Sequence, residues 1–350
     1  MRGGRPFCRR EFLRAGACAG VGALVPTPAC SSSGESEVKF TVFGDIHYSP
    51  GGYPHSERAW LERILRRGVE TKSDFVISLG DFCHYAVRDL AYVDFYNDYK
   101  AVRTYHVFGN HDFDCYSYEE VRDCFRLESG YYSFVCNGFR FVVLDPNYYL
   151  ADGKYFHYSR RGAEARAGRP PQGAVEPILP PGQVTWFRQT VNDSREPCVV
   201  LSHQSLEYDY YAAVTNSKEI HDIVSEANAR HPGRVRLFVN GHDHWDHLRF
   251  IDGVPYLDLN SASFDIFSQK HDKYPESFVK QCSGAPWLLT WNDPLSAVIT
   301  LRSDGTLRID GAKSSYFLGV TPEQAGLSGN RTRRATHPQI QSADLKLCYN

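Results

Sequence analysis

Five short runs in this chain carry residues suited to ligating cations: Asp45-Ile46-His47, Gly80-Asp81, Gly109-Asn110-His111-Asp112, Ser202-His203 and Gly241-His242-Asp243-His244. Asp45, His47, Asp81, Asn110, His203, His242 and His244 offer only oxygen and nitrogen donors. Such a set suits Mn, Fe, Zn or Co and singles out none of them. Asp45 and His47 stand two residues apart at the end of an extended run, so strand alternation sends both side chains to one side, and His242 and His244 repeat the spacing. Asp81 follows a glycine that removes side-chain bulk, which leaves its carboxylate able to bridge two ions.

Short apolar segments must position these runs. Residues 38–43 predict a strand that ends in Gly44-Asp45, and 56–69 predict a helix with Trp60, Leu61, Ile64 and Leu65 on one face. Strand 75–79 ends in Gly80-Asp81, helix 90–102 follows, and strand 104–108 ends in Gly109-Asn110. A polar cluster thus follows a buried-type strand repeatedly, and open α/β sheets bind ligands outside the carboxyl ends of their strands. Residues 131–135 and 139–144 form a hairpin around Asn137-Gly138. The stretch 145–182, rich in Tyr and Pro, reads as long and irregular, either a lid over the site or a surface insertion. Helical spacing returns at 184–191 and 217–229, strand character at 198–201, 235–239 and 254–259, and a second hairpin at 297–309. Residues 318–338 are polar and turn-rich, a tail crossing the surface.

Taken in order, the five runs resemble the blocks of the calcineurin-like metallophosphoesterase superfamily. Each block alone is a weak match; all of them, ordered after strands across about residues 40–244, make a specific one. Beyond about residue 263 nothing distinctive to that family is visible. The resemblance implies a four-layer α/β/β/α sandwich, two mixed sheets flanked by helices, that holds two divalent or trivalent transition-metal ions. One ion would be held by Asp45, His47 and His244, the other by Asn110, His203 and His242, with Asp81 bridging both. A metal-bridging hydroxide would hydrolyse a phosphate monoester or diester. His111 would stabilise charge or donate a proton to the leaving oxygen, with Asp112 orienting it. The Asp-x-His of the first block departs from the purple acid phosphatase pattern, so a charge-transfer purple enzyme is not implied. Two cations about 3.5 to 4 Å apart neutralise an anionic ester, acidify a bridging water and keep attacking and leaving oxygens in line. A single catalytic ion would not need so many ligands.

Bulk properties narrow the partners. The formal charge of -2 and pI of about 6.7 give no basic field to gather nucleic acid, which leaves a small phosphorylated substrate. At the start, Arg9-Arg10-Glu11-Phe12-Leu13 matches the twin-arginine export pattern, and 15–25 is apolar but too short to span a bilayer. Cys30 before Ser31-Ser32-Ser33-Gly34 reads as a lipoprotein-type cleavage site and tether, although Thr27 stands where such sites usually carry Leu. The expected organisation is therefore a signal segment 1–30, a tether 31–37, a catalytic domain 38–315 and an extension 316–350. The expected location is the periplasm or cell envelope, with membrane contact only through a lipid on Cys30. The cysteines outside the leader include no C-x-x-C pair and indicate no disulfide framework; Cys83 reads as a small buried thiol.

Plainer readings stand beside these. A histidine after a strand, such as His203 taken alone, is more often a hydrogen-bonded core group than a ligand, and only the ordered set reverses that. His84, His106, His157, His221 and His271 read as structural or surface groups, with His84 the one expected to approach the site. The string His242-Asp243-His244-Trp245-Asp246-His247 also fits the H-x-H-x-D-H pattern of metallo-β-lactamases, but there most of the remaining ligands follow the string, whereas here the matched blocks precede it and little suitable follows. A non-catalytic, lipid-tethered binder of metal or phosphorylated ligand is the alternative of a different class; the complete ligand set speaks against it.

Overall fold

The computed structural model describes residues 36–54, 58–166, 176–207, 213–267, 269–326 and 337–349. The signal segment with Cys30, most of the tether, 167–175 of the long stretch and Tyr208 to Tyr211 lie outside the described residues.

Uninterrupted apolar runs make the central strands. β1 (Glu37–Phe43) leads through α1 (Arg58–Glu70) to β2 (Phe75–Ser78), and α2 (Leu90–Asn97) leads to β3 (Arg103–His106); β1, β2 and β3 pair in parallel. After α3 (Tyr118–Cys124) comes the hairpin β4 (Tyr132–Cys136) and β5 (Phe139–Val143). Its turn, Asn137-Gly138, has both φ angles positive, as the tight hairpin predicted from Asn-Gly requires. Next are β6 (Tyr148–Ala151), β7 (Lys154–His157), α4 (Ser159–Arg166), α5 (Pro181–Asp193), β8 (Cys198–Leu201), α6 (Ser217–Arg230), β9 (Val235–Asn240), β10 (His247–Ile251) and β11 (Val254–Asp258). The chain continues through β12 (Phe264–Ile266), α7 (Glu276–Gln281), β13 (Leu288–Thr290), β14 (Ala297–Arg302), β15 (Thr306–Gly311) and β16 (Ala343–Lys346).

Two six-stranded mixed sheets result, ordered β16-β15-β14-β1-β2-β3 and β10-β11-β9-β8-β5-β4. Strand alternation explains the layers. Phe139, Phe141 and Val143 of β5, with Val199 and Leu201 of β8, enter one core with Phe40 and Phe75 of the first sheet. Phe141 meets Phe75 and Phe40 edge-on, with ring centroids 4.8 and 5.2 Å apart. Burying each such ring stabilises the fold by about 1.5–3 kcal/mol. The opposite face of this sheet, with Val142 of β5, Val200 of β8 and Phe238 of β9, packs with Val184 and Phe187 of α5 and Ile220 and Ile223 of α6 in a second core. On the first sheet α1 buries Trp60, Leu61, Ile64 and Leu65, the face expected from their spacing. The architecture is the four-layer sandwich. Among the described residues no helix is long and apolar enough to cross a membrane.

One expectation is corrected. The start of the 145–182 stretch is not irregular: β6 and β7 pair around Asp152-Gly153, and α4 follows. The short strands hid it, although Asp-Gly is a hairpin signal. Within 316–350, β16 pairs with β15 and forms the edge strand of the first sheet, and Asn260 Nδ2 donates to the carbonyl of His337.

Candidate metal centre

The parallel strands β1, β2, β8 and β9 end at one rim, and their following loops carry the expected ligands together. Asp45, His47 and His244 form one group of converging donors, and Asp81, His203 and His242 another. His47 Nε2 lies 3.1 Å from His244 Nε2, and His242 Nδ1 lies 3.2 Å from His203 Nε2. Asp81 Oδ2 stands between the groups, 3.2 Å from His203 Nε2 and 3.7 Å from His47 Nε2. Donors on one ion, with bonds of about 2.0–2.2 Å, lie roughly 3–3.5 Å apart, so these separations suit shared cations. The Nδ1–H of His203 donates to the Leu79 carbonyl at 2.8 Å, which orients the ring with Nε2 toward the centre.

The convergence does not come from strand alternation. Asp45, His47, Asp81, His242 and His244 all have left-handed backbone, with φ of 56°, 51°, 49°, 73° and 51°. Each turns its side chain inward from a loop beyond the strand end. Two glycines permit the crowding: a Cβ on Gly80 would strike the Gly109 backbone, and one on Gly109 would strike Asp81.

Burial and mutual repulsion set the protonation. Burial, aided by neighbouring His244 and His84, holds His47 well below the ordinary histidine value, and burial lowers His242 to about 3. Burial opposes the charge on His203, yet Asp81 outweighs it and raises the ring to about 9. Asp81 resists its own desolvation because His203 and His111 favour the carboxylate, and it sits well below the usual range. A ring of imidazoles and carboxylates arranged in this way holds lone pairs, or protons that a cation would displace.

Asn110 precedes the 3-10 turn of His111–Phe113, and its side-chain oxygen accepts from Gln204 Nε2 at 3.4 Å. Gln204 also donates to Asn147 Oδ1, and Asn147 Nδ2 to Asp145 Oδ1 and the Phe108 carbonyl, a buried relay that sequence reasoning missed. His111 donates its backbone N–H to Asp81 Oδ1 at 2.8 Å. Its ring partner is Asp114, not the expected Asp112: Nδ1 lies 2.8 Å from Asp114 Oδ2. Asp112 is fully buried and accepts instead from the backbone N–H groups of Phe82, Cys83 and Gly109. The 3-10 turn explains the exchange, since it brings residues three apart onto one side. Burial opposes a charge on the His111 ring, but Asp81 and Asp114 outweigh it and raise the ring to about 10. His84, expected to approach, links His47 Nδ1 at 3.1 Å to the same Asp114 oxygen at 2.7 Å. Asp246 points elsewhere, accepting from the Gln341 backbone.

A sandwich of two mixed sheets with a cluster of histidines and carboxylates at the strand ends defines a metal-dependent hydrolase scaffold. The sequence profile of the calcineurin-like phosphoesterases matches residues 38–246, and the chain belongs to that family. Among solved structures it is similar to a dimetal phosphatase from Danio rerio, with 15% identity, 89% of this chain and 99% of the other covered, and a TM-score of 0.57. It is also similar to GAP50, the anchor in the inner membrane complex of Plasmodium, with 12% identity, 90% of each chain covered and a TM-score of 0.49. The first of these likenesses speaks for the fold. No curated protein matches the sequence.

Proposed function

We propose that this chain hydrolyses a small phosphate monoester or diester at a two-metal centre. Asp45, His47 and His244 would hold one ion, Asn110, His203 and His242 the other, and Asp81 both. The observation that carries the reading is Asp81 Oδ2 lying within 3.7 Å of an imidazole nitrogen from each group. When bound, the ions neutralise the phosphoryl oxygens and make water acidic enough to supply the nucleophile near neutral pH. The chain supplies the rest. As the P–O ester bond breaks, the leaving oxygen takes a proton from His111, and Asp114 orients the ring and stabilises its charged form. His84 ties this pair to His47, coupling the acid to the ligand set. The twin-arginine-type leader supports export to the cell envelope, where a folded enzyme would arrive with its ions in place.

The test is the initial rate on aryl phosphate monoester and diester with Mn, Zn, Fe and Co supplied separately, for wild type, Asp81→Asn and His203→Ala. Turnover that depends on metal and falls by more than the ~10–100-fold typical of an outer-shell partner in both variants supports the reading. Absence of turnover across both ester classes and all four metals favours the binding-protein alternative.

A further inference from the structure

A second convergence of donors lies beyond the ligand loops. The β10–β11 register sets His247 opposite Asp258, the β11–β9 register sets Asp258 beside Asn240, and Glu207 comes from the loop after β8. Asp258 and Glu207 are both fully buried. Each has one oxygen held by a fixed donor: Asn240 Nδ2 donates to Asp258 Oδ1, and Arg249 Nη1 to Glu207 Oε2 at 2.9 Å. The remaining oxygens, Asp258 Oδ2 and Glu207 Oε1, have no hydrogen-bond partner among the described residues, and neither does His247 Nδ1. These three bare atoms point at one place: Nδ1 is 3.4 Å from Glu207 Oε1 and 3.6 Å from Asp258 Oδ2.

We infer that Glu207, His247 and Asp258 form an additional divalent-cation site, separate from the centre around Asp81. Its separations are long for hydrogen bonds but near the roughly 3.3–3.6 Å between donors on a tetrahedral ion with bonds of about 2.0–2.2 Å. Two adjacent buried carboxylates with one fixed cation, Arg249, beside them need a second positive charge in a low dielectric, which either a proton on His247 or a bound ion supplies. One imidazole and two carboxylates suit Zn or Mn. The second oxygens, pinned by Asn240 and Arg249, aim the ligating ones, and the Trp245 ring stacks on His247 with centroids 4.0 Å apart. His247 is 26% exposed, which leaves solvent a way in. The location gives the ion a role. Asn240 ends β9 and His247 begins β10, so the site clamps both ends of the loop that carries His242 and His244.

A proton on His247 is the competing source of charge, and counting metal separates the two. The full chain would be stripped with chelator, reloaded with Zn or Mn, desalted and measured by mass spectrometry, with circular dichroism to confirm folding. His247→Gln and Glu207→Gln should each hold one ion per chain fewer than wild type. A variant carrying Asp81→Asn and His203→Ala should retain one ion that raises its melting temperature, and adding His247→Gln should abolish both the ion and the rise. If His247→Gln binds as much metal as wild type, the inference is wrong. The phosphoesterase reading fails by a different result, undiminished metal in the Asp81→Asn, His203→Ala variant. Should Glu207→Gln not fold, His247→Gln decides, because its ring lies at the surface of the cluster.

Discussion

Asp112 and Asp114 stand two residues apart and should fail in opposite ways when removed. Asp112 Oδ1 accepts from Phe82 N at 2.8 Å and Cys83 N at 3.1 Å, and Oδ2 from Gly109 N at 2.8 Å. Asp112→Ala would strand three buried backbone donors, each worth about 1–3 kcal/mol unpaired; allowing for partial relaxation, the loss is about 3–5 kcal/mol. Domains are stable by only about 5–15 kcal/mol, so a large part of the margin goes. Asp112→Asn should lie between, because its amide nitrogen would confront the N–H of Gly109. Asp114 is 39% exposed and bonds only side chains, so Asp114→Ala should cost less than about 1 kcal/mol. Urea unfolding of metal-free protein, followed by tryptophan fluorescence, reads the contrast: with a slope of about 3 kcal/mol/M, Asp112→Ala should lower the midpoint by roughly 1–1.7 M and Asp114→Ala by less than about 0.3 M. Equal midpoints for wild type and Asp112→Ala would refute the assignment of Asp112 as a backbone clamp, and a larger drop for Asp114→Ala would reverse it.

Asp114→Asn should lower kcat by about 10-fold or more with little change in KM, since proton transfer by a positioned group contributes about 10²–10⁴-fold; steady-state kinetics on an aryl phosphate decide. In metal-free protein, His203 near 9 and His111 near 10 bind more protons folded than unfolded above the ordinary histidine value, so their stabilisation, full below about 6.5, is lost as pH rises through 9 to 10. His242 near 3 binds fewer, so stability also falls as pH drops below about 6.5. The melting temperature of stripped protein should therefore peak near pH 6.5, and saturating metal, which takes the deprotonated ligands, should move the peak upward; an unchanged peak would contradict the ligand set. Asp246→Ala should leave the metal content unchanged by mass spectrometry and cost about 1 kcal/mol by loosening the segment around Gln341; loss of an ion would revive the metallo-β-lactamase pattern.

Strand placement was legible because apolar runs such as 75–78 and 198–201 have no exposed face to interrupt them. The candidate ligands were legible as a set because each follows such a run. The grouping of His242 with His203, and of His244 with His47, came only from resemblance: adjacent histidines on one loop carry no label for the ion they serve. Asp114 was invisible for a related reason. Asp112 is next to His111 in sequence, and only the local 3-10 turn decides that the residue three along is the neighbour in space. Gln204 follows His203 without any pattern that marks it as the partner of Asn110 and Asn147.

The backbone at the centre gives the physical reason why geometry outran spacing. A left-handed conformation costs a non-glycine residue about 1–2 kcal/mol, and five metal-centre residues adopt it, a burden comparable with a domain's whole stability. Strain persists only where the surroundings over-determine it. Here Asp45 N donates to the Gly80 carbonyl at 3.0 Å, His47 N to the Asp81 carbonyl at 2.8 Å, and Gly241 N to the His203 carbonyl at 3.0 Å, so each strained loop is tied to another ligand loop. Ser261 and Ser263 hydroxyls both donate to the Asp45 carbonyl, adding a tie from beyond β11. The loops therefore hold one another in place, and none of these five residues can relax to ordinary backbone without releasing its neighbours. It follows that the candidate ligands on these tied loops should act as one cooperative unit: Ser261→Ala, which touches no metal donor, should weaken metal affinity, whereas independent ligands would leave it unchanged in an isothermal titration.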